Sequence, residues 1–319
     1  MRALTRSSIR RLCGIALIAA LTVPATGCVS LKEIRAFAAT AAAVGDGFPA
    51  LARDFHQSCL SQQRYIVAQK QDFRLDKFAD LSDPANELMA PGLKICQQFA
   101  DEQARLIAAN ATLVNYMRTM GDLSADELTS FDKSIGSFGT ALADAGLLQK
   151  TEASAVAKVA AYLARIASEG YRRKQLRTVI VDNNEDIKVI SAGLARIVGR
   201  NYVLQLENER VAMQGYYRKM AAETSRFNRA VVKQVGGDAD TYDPVPLDAL
   251  KSTFETRNAA IAAKIAGAKS YAGVVTEVAA GHQALRDSVD RLDARATLQT
   301  ALSEAKTIQA LAAEFLEAF

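Results

Sequence analysis

Apolar residues recur every three to four positions along most of the chain after residue 30, with charged and amide residues between them. This spacing is typical of helices that bury one face. The strict alternation expected of a half-buried strand is never sustained. The pattern therefore predicts an all-α protein.

Several breaks divide the first half of the chain into helices. One helix is predicted over residues 31–70, with an interruption at Gly45–Pro49. A second is predicted from Pro91 to Met120, because proline is favoured in the first turn of a helix and Gly121 suits its end.

Two further helices are predicted before residue 182. Residues Ser124 to Glu127 form a capping box, which is expected to open a short helix ending near Gly146. The next helix is predicted to begin at Thr151 and to continue past Gly170 toward residue 181.

The longest helices are predicted in the second half. After a break or restart at Asp182–Asn184, a proline-free helix is expected over residues 185–235. Glycine and proline then mark a loop over 236–246, and residues 247–319 are helical again. Two long helices joined by such a loop are expected to fold back on each other.

Apolar rows along both helices indicate a coiled-coil-like seam. Alternating steps of three and four connect Leu250 to Ala296, and a similar row runs from Ile187 to Val211 and then shifts to Met213. Asn201 and Asn208 fall on the second row, where they either fix the register of the pair or lie at its edge in water. The sequence thus predicts an elongated antiparallel helical bundle with a long coiled-coil-like C-terminal helix pair.

The first residues have the features of a secretory leader. Leu12–Val23 is a twelve-residue apolar stretch, too short to span a bilayer as a helix. Gly27 and Cys28 follow it. The stretch is preceded by four basic residues: Arg2, Arg6, Arg10 and Arg11.

This segment resembles the lipobox-type signal peptide of bacterial lipoproteins, although Ala25 stands where that class usually has leucine. The resemblance implies that residues 1–27 are removed and that Cys28 is lipidated, with palmitate as an expected acyl chain. Val29 is not the aspartate that signals inner-membrane retention, which implies the periplasmic face of the outer membrane in a Gram-negative bacterium. The alternative is an ordinary leader cut after Ala25, which would leave a free periplasmic protein.

The remaining chain is assigned to two regions that pack together as one continuous domain. Residues 28–150 form an N-terminal helical region with a disulfide hairpin, and residues 151–319 form a long-helix bundle. In composition, this helical part resembles envelope lipoproteins of unassigned function.

Charge gives no reason to expect a nucleic acid partner. The full chain has 39 basic and 35 acidic residues, and four of the basic residues lie in the leader. The remaining chain is therefore neutral overall, which does not favour phosphate-backbone binding.

Two cysteines remain once Cys13 is removed with the leader and Cys28 is assigned to lipid. In an oxidising compartment, a disulfide between Cys59 and Cys96 is the simplest interpretation. A zinc site formed with His56 and a pair of free thiols are the alternatives.

Reactive constellations are scarce. The sequence has no Gly-x-Ser-x-Gly elbow, no glycine-rich phosphate loop and no His-Glu-x-x-His zinc pair. His282 lies on an apolar row, where a histidine is more often a hydrogen-bonded core residue than a ligand or a base. We therefore expect a protein that is not an enzyme and has no metal or cofactor.

Candidate contact residues form a basic patch and a loop. They are either a binding surface for an anionic or protein partner or solvated helix faces. These candidates are Arg172, Arg173, Lys174, Arg177, Asp240 and Tyr242.

The leading hypothesis is a lipid-anchored scaffold or partner-binding module of the cell envelope, with the membrane and an envelope protein as partners. The alternative is a binding protein that holds an apolar or lipid ligand in a cavity between helices. A third hypothesis is an enzyme that uses scattered acidic residues.

Overall fold

The computed structural model describes residues 31–70, 89–125, 146–169, 175–237, 245–288 and 295–319, with side chains from residue 303 onward in the last range. All regular secondary structure in these ranges is helical, which confirms the all-α prediction. The helices are α1 (Lys32–Ala43), a 3₁₀ turn (Val44–Asp46), α2 (Phe48–Lys70), α3 (Ala90–Ala125), α4 (Lys150–Glu169), α5 (Leu176–Arg196), a π turn (Ile197–Tyr202), α6 (Val203–Gln234), α7 (Val245–Asp287) and α8 (Arg295–Ala318).

The predicted interruption near Gly45 is confirmed as the 3₁₀ turn between α1 and α2. Both helices pack antiparallel to α3, and Gly45 lies against Val114 while Gly92 lies against Gln63. The predicted end of α3 at Gly121 is wrong, because the helix continues to Ala125.

The predicted role of Ser124 as a helix-opening cap is also wrong. Its hydroxyl donates to the carbonyl of Gly121 at 2.6 Å, inside the last turns of α3. This bond back into the preceding turn is common for serine within helices. The rest of the predicted short helix lies outside the described residues.

The chain reverses between α4 and α5, so the predicted continuous helix toward residue 181 is wrong. The hydroxyl of Tyr162 donates to Asp182 at 3.0 Å, which requires α5 to return antiparallel along α4. The predicted break at 182–184 is wrong as well. Asn183 and Asn184 are buried inside α5, where Asn183 donates to the carbonyl of Val179 at 2.9 Å.

The long antiparallel helix pair is confirmed. Asn184 donates to Gln283 at 2.7 Å near one end of the pair. Near the other end, the rings of Tyr217 and Phe254 lie 5.6 Å apart. Helices α5 and α6, joined by the π turn, therefore run side by side with α7 in opposite directions.

The seam predicted to continue to Ala296 is interrupted, because α7 ends at Asp287 and α8 folds back along it. Ser270 of α7 donates to Glu314 of α8, and Gly267 lies against Ala318. The close approach of small residues lets α8 cover a second face of α7.

The π turn changes which residues face the core. Leu204 and Val211, both on the predicted seam, are 59% and 66% exposed, whereas Leu206 and Met213 are fully buried. A π turn is wider than an α turn and holds one extra residue, so every position after it is rotated. The predicted row is therefore correct up to Ile197 and displaced beyond it.

A single apolar core includes residues from both predicted regions. Its large, fully buried side chains come from α1, α2, α3, α7, α8 and the π turn. They include Phe37, Phe48, Phe55, Tyr116, Tyr202, Tyr271 and Phe315. The division at residue 150 remains a prediction.

Candidate functional site

Cys59 and Cys96 form a disulfide bond with a Cα–Cα distance of 5.6 Å, which joins α2 to α3. The prediction of a disulfide is confirmed. The alternatives of zinc coordination with His56 and of free thiols are wrong, because both sulfur atoms are in the bond. Among the described residues, no three histidine, cysteine or acidic side chains are grouped as a metal site would require.

Most of the predicted contact residues lie outside the described ranges, as does Cys28. Only Arg177 is described, and it is exposed in the first turn of α5. The predicted contact surfaces therefore remain predictions. The residues outside the described ranges are Arg172, Arg173, Lys174, Asp240 and Tyr242.

His282 is fully buried and has a hydrogen-bond partner on each ring nitrogen. Its Nε2 lies 2.7 Å from the hydroxyl of Tyr116, and its Nδ1 lies 3.0 Å from Oδ1 of Asn184. Because the Asn184 oxygen can only accept, Nδ1 carries the proton and Nε2 accepts from Tyr116. Burial lowers the pKa of His282 to about 3, so the ring is neutral.

A second polar cluster joins α2 to the π turn, α6 and α7. Asp54 accepts hydrogen bonds from the hydroxyl of Tyr202 and, at 2.6 Å, from the ammonium of Lys264. One turn away on α2, Ser58 donates to Glu209 at 2.7 Å. Burial raises the pKa of Glu209, while the Ser58 hydroxyl stabilises its charged form and opposes that shift.

A polar cleft of about 730 Å³ opens between α2, α3, the residues before α4, and the π turn with the start of α6. We call it the amide cleft. Its side chains include the amides of Gln98, Asn201, Gln205 and Asn208. Of the two positions left open for the asparagines, the structure excludes a buried place on the seam and confirms the edge in water for Asn208, which is exposed, while Asn201 is half-buried at the cleft.

The walls of the amide cleft are held by hydrogen bonds. Glu102 accepts from Arg105 at 2.7 Å and from the backbone N–H of Leu147 at 3.1 Å. The ring of Phe99 stacks on that of Phe55 with their centroids 4.6 Å apart. The cleft therefore combines paired charges, unused amides and an aromatic surface.

A second concavity, about 600 Å³ in volume, lies between α6 and α7, and we call it the hairpin groove. Most of its lining is apolar, and Arg218 and Lys251 supply its charged groups. The apolar and aromatic lining residues are Tyr217, Ala221, Leu247, Leu250 and Phe254.

The α6–α7 pair continues beyond the end of α2. The last contacts with α2 are the ring contact between Tyr65 and Tyr216 and the 2.7 Å hydrogen bond from Lys219 to the carbonyl of Gln69. Further along α6, Phe227 is 69% exposed and Val231 is also exposed. We call residues 220–237 and 245–253 the distal hairpin.

Comparison of the chain with protein families, curated proteins and solved structures found no match. Among the described residues, no helix combines the length and apolar character needed to cross a bilayer. The function must therefore be inferred from the geometry.

Sequence reasoning identified His282 as a hydrogen-bonded core residue, but it missed the partners of that ring, the cluster around Asp54 and both concavities. Asp54, Tyr202 and Lys264 are far apart in the chain and are brought together only by the packing of three helices. The sequence does contain one sign of the hairpin groove. Tyr217, which lines the groove, belongs to a short run of aromatic and basic residues at positions 216–219.

Proposed function

We propose that the chain is a non-enzymatic helical protein of the cell envelope, anchored by lipid on Cys28, that binds a protein partner through its distal hairpin. The observation that carries this proposal is the exposed apolar side chains on a helix pair extending beyond its supporting helix. Isolated exposed apolar residues are common, but this set lies on one projecting element. It consists of Phe227, Val231, Val235 and Val245.

The reach of the distal hairpin also supports partner binding. From Lys219 to Gln234, α6 extends about 22 Å at 1.5 Å per residue. A helix pair of this length can lay an apolar face into a groove of another protein, or accept a partner helix beside it.

Membrane fractionation tests the anchor. The parent protein is expected in the membrane fraction, and Cys28→Ala is expected in the soluble periplasmic fraction, because a lipid chain supplies about 0.8 kcal/mol per buried methylene. The same distribution for both proteins would contradict the anchor.

Site-specific photo-crosslinking tests the partner surface. A photoreactive residue at Phe227 is expected to give a discrete adduct in intact envelopes, and Val231→Asp in the same chain is expected to abolish it. The control is the same probe at Val211, which is also exposed on α6 but lies before the distal hairpin. Equal labelling from both positions would contradict a specific surface.

The hairpin groove favours a second candidate function, the binding of an apolar or lipid ligand. Its volume lies in the range of small-molecule pockets, and Arg218 and Lys251 suit an anionic head group. Native mass spectrometry of the purified chain is expected to show a bound lipid. Ala221→Phe, which fills the groove, should remove it, and exposed Ala222→Phe is the control. Retention of the lipid by Ala221→Phe would exclude this groove.

A further inference from the structure

We propose that the amide cleft is a binding site for a neutral oligosaccharide. This site is separate from the distal hairpin and has different chemistry. It is assembled from residues of α2, α3, α6 and the π turn, together with the chain just before α4.

The amide cleft has unused hydrogen-bonding capacity. The side-chain amides of Gln98, Asn201 and Asn208 form no hydrogen bond with any residue that the structure describes. Each amide offers donors and an acceptor in one plane. That arrangement matches neighbouring hydroxyl groups on a sugar ring, which also donate and accept.

One amide of the cleft is fixed in place. Gln205 donates to the side-chain oxygen of Gln62 on α2 at 2.9 Å, which leaves its own oxygen available to accept. A bond between side chains of two helices restricts the rotamers of both. Part of the hydrogen-bonding surface is therefore organised before a ligand arrives.

The charged residues of the amide cleft do not favour an anionic ligand. Arg105 is paired with Glu102, and Asp101 accepts from Gln97 at 2.9 Å. Because Gln97 is neutral, the Asp101 charge remains, and the charged residues that line the cleft have one carboxylate more than they have cations, which disfavours a phosphate or a carboxylate ligand. A neutral, hydroxyl-rich ligand fits these groups better than an anion does.

An apolar surface lies beside the amides of the cleft. Phe99 is half-buried, with its ring supported by Phe55, and Leu204 is 59% exposed at the cleft. The C–H face of a pyranose ring can cover such a surface while its hydroxyl groups remain free at the ring edge. Alternating apolar and amide groups are thus appropriate for a sugar chain.

The π turn gives Asn201, Leu204 and Asn208 their position. In a regular helix these residues would continue the buried row of Ile190 and Leu194. The extra residue of the π turn rotates them toward the cleft instead. Single π turns occur frequently at functional sites, and here the turn supplies the polar wall of a concavity.

Titration of the purified full chain with uncharged oligosaccharides tests the proposal. The probes are a β-1,4-linked N-acetylglucosamine tetramer and maltotetraose, each used up to about 10 mM so that millimolar Kd values are covered. Saturable binding of at least one probe, measured by calorimetry and by saturation-transfer NMR, is the expected result.

Variants assign the binding to the cleft. Asn201→Ala and Asn208→Ala are each expected to weaken it by about five- to tenfold, the value of one net hydrogen bond. Phe99→Leu should also weaken it by removing the flat surface. Gln214→Ala, which removes an amide from the hairpin groove, is the matched control and should leave the affinity unchanged.

Three outcomes would overturn the proposal. The first is no saturable binding of either probe to the folded chain. The second is an affinity that Asn201→Ala and Asn208→Ala leave unchanged while circular dichroism shows intact helices. The third is a preference for tetra-alanine over both sugars, which would assign the cleft to an extended peptide. None of these results depends on the distal hairpin.

Discussion

The imidazole of His282 shows how a buried residue is kept in one protonation state. Tyr116 and Asn184 satisfy both ring nitrogens, and among the described residues no acidic group is found in contact with the ring to stabilise a positive charge. Burial therefore lowers the pKa from 6.5 to about 3. The sequence-based interpretation of His282 as a hydrogen-bonded core residue agrees with this environment.

The protein should lose stability in mild acid because of His282. Below pH 6.5 the unfolded chain binds a proton that the folded chain does not accept until about pH 3. The free energy of unfolding is therefore expected to fall by about 2 kcal/mol between pH 7 and pH 5 from this group alone. Urea denaturation at the two pH values measures the loss.

The variant His282→Gln should show a smaller loss between pH 7 and pH 5, even if it is less stable at both. His56→Gln is the matched control, because it removes the other histidine of the chain without touching this network. An unchanged pH dependence in His282→Gln would rule out His282 as its source.

Two glycines within helices should respond to alanine in opposite directions. A Cβ at Gly281 would lie 2.5 Å from the buried ring of Phe37, whereas a Cβ at Gly121 would lie 3.5 Å from Ala38 in ordinary contact. We expect Gly281→Ala to destabilise the protein by about 1–3 kcal/mol. Gly121→Ala should stabilise it by about 0.5–1 kcal/mol. Thermal unfolding of both variants measures these changes in stability. A change in the same direction for both would contradict the packing described for the two glycines.

At the scale of elements, we expect the fold to tolerate the removal of one residue from the π turn. Deleting exposed Arg200 would convert the wide turn to an α turn and keep α6 facing the core as before. Deleting Glu207 from regular helix would rotate everything after it by about 100°. We expect the first deletion to keep a cooperative thermal transition and the second to lower Tm strongly. Equal damage from both would contradict the π assignment.

The disulfide should contribute stability by closing the chain between α2 and α3. Its two cysteines are 37 residues apart. In the chain-entropy model such a loop contributes on the order of 3–4 kcal/mol. The Cys59→Ser/Cys96→Ser double variant should therefore have a lower urea midpoint, and dithiothreitol should lower that of the parent only. A parent insensitive to the reductant after complete thiol release would contradict this contribution.

Sequence periodicity identifies helices better than it identifies their ends. The interruption near Gly45 and the α6–α7 pair were predictable because glycine and proline mark both. The reversals after Glu169 and Asp287 were missed, since helical periodicity continues on both sides of each. The π turn also escaped prediction, because the shift of the apolar row to Met213 does not by itself reveal an extra residue at an earlier position.

At the scale of the whole molecule, the longest dimension of the protein must be at least the length of its longest helical segment. Residues Leu176 to Gln234 form a continuous helical rod of 59 residues, which extends roughly 85–90 Å. A compact chain of 319 residues would have a radius of gyration of about 20 Å. Small-angle X-ray scattering should therefore give a larger radius and a maximum dimension of at least about 85 Å. A maximum near 60 Å would contradict the rod.

The site was less predictable than the fold for a physical reason. The disulfide followed from the number of cysteines and from a two-helix hairpin, both of which are local features. The amide cleft takes residues from positions 55 to 208, and their proximity depends on how helices pack. The local patterns of a single sequence do not show how its helices pack.

The same rod passes from a crowded interior to open solvent. Its first half, around Leu194, is enclosed by neighbouring helices, whereas the residues of its last turns, around Val235, are mostly exposed. Amide protons near Leu194 should exchange with deuterium only when the protein opens globally, and those near Val235 through local fraying. Amide protons of one continuous helix would thus exchange at two very different rates.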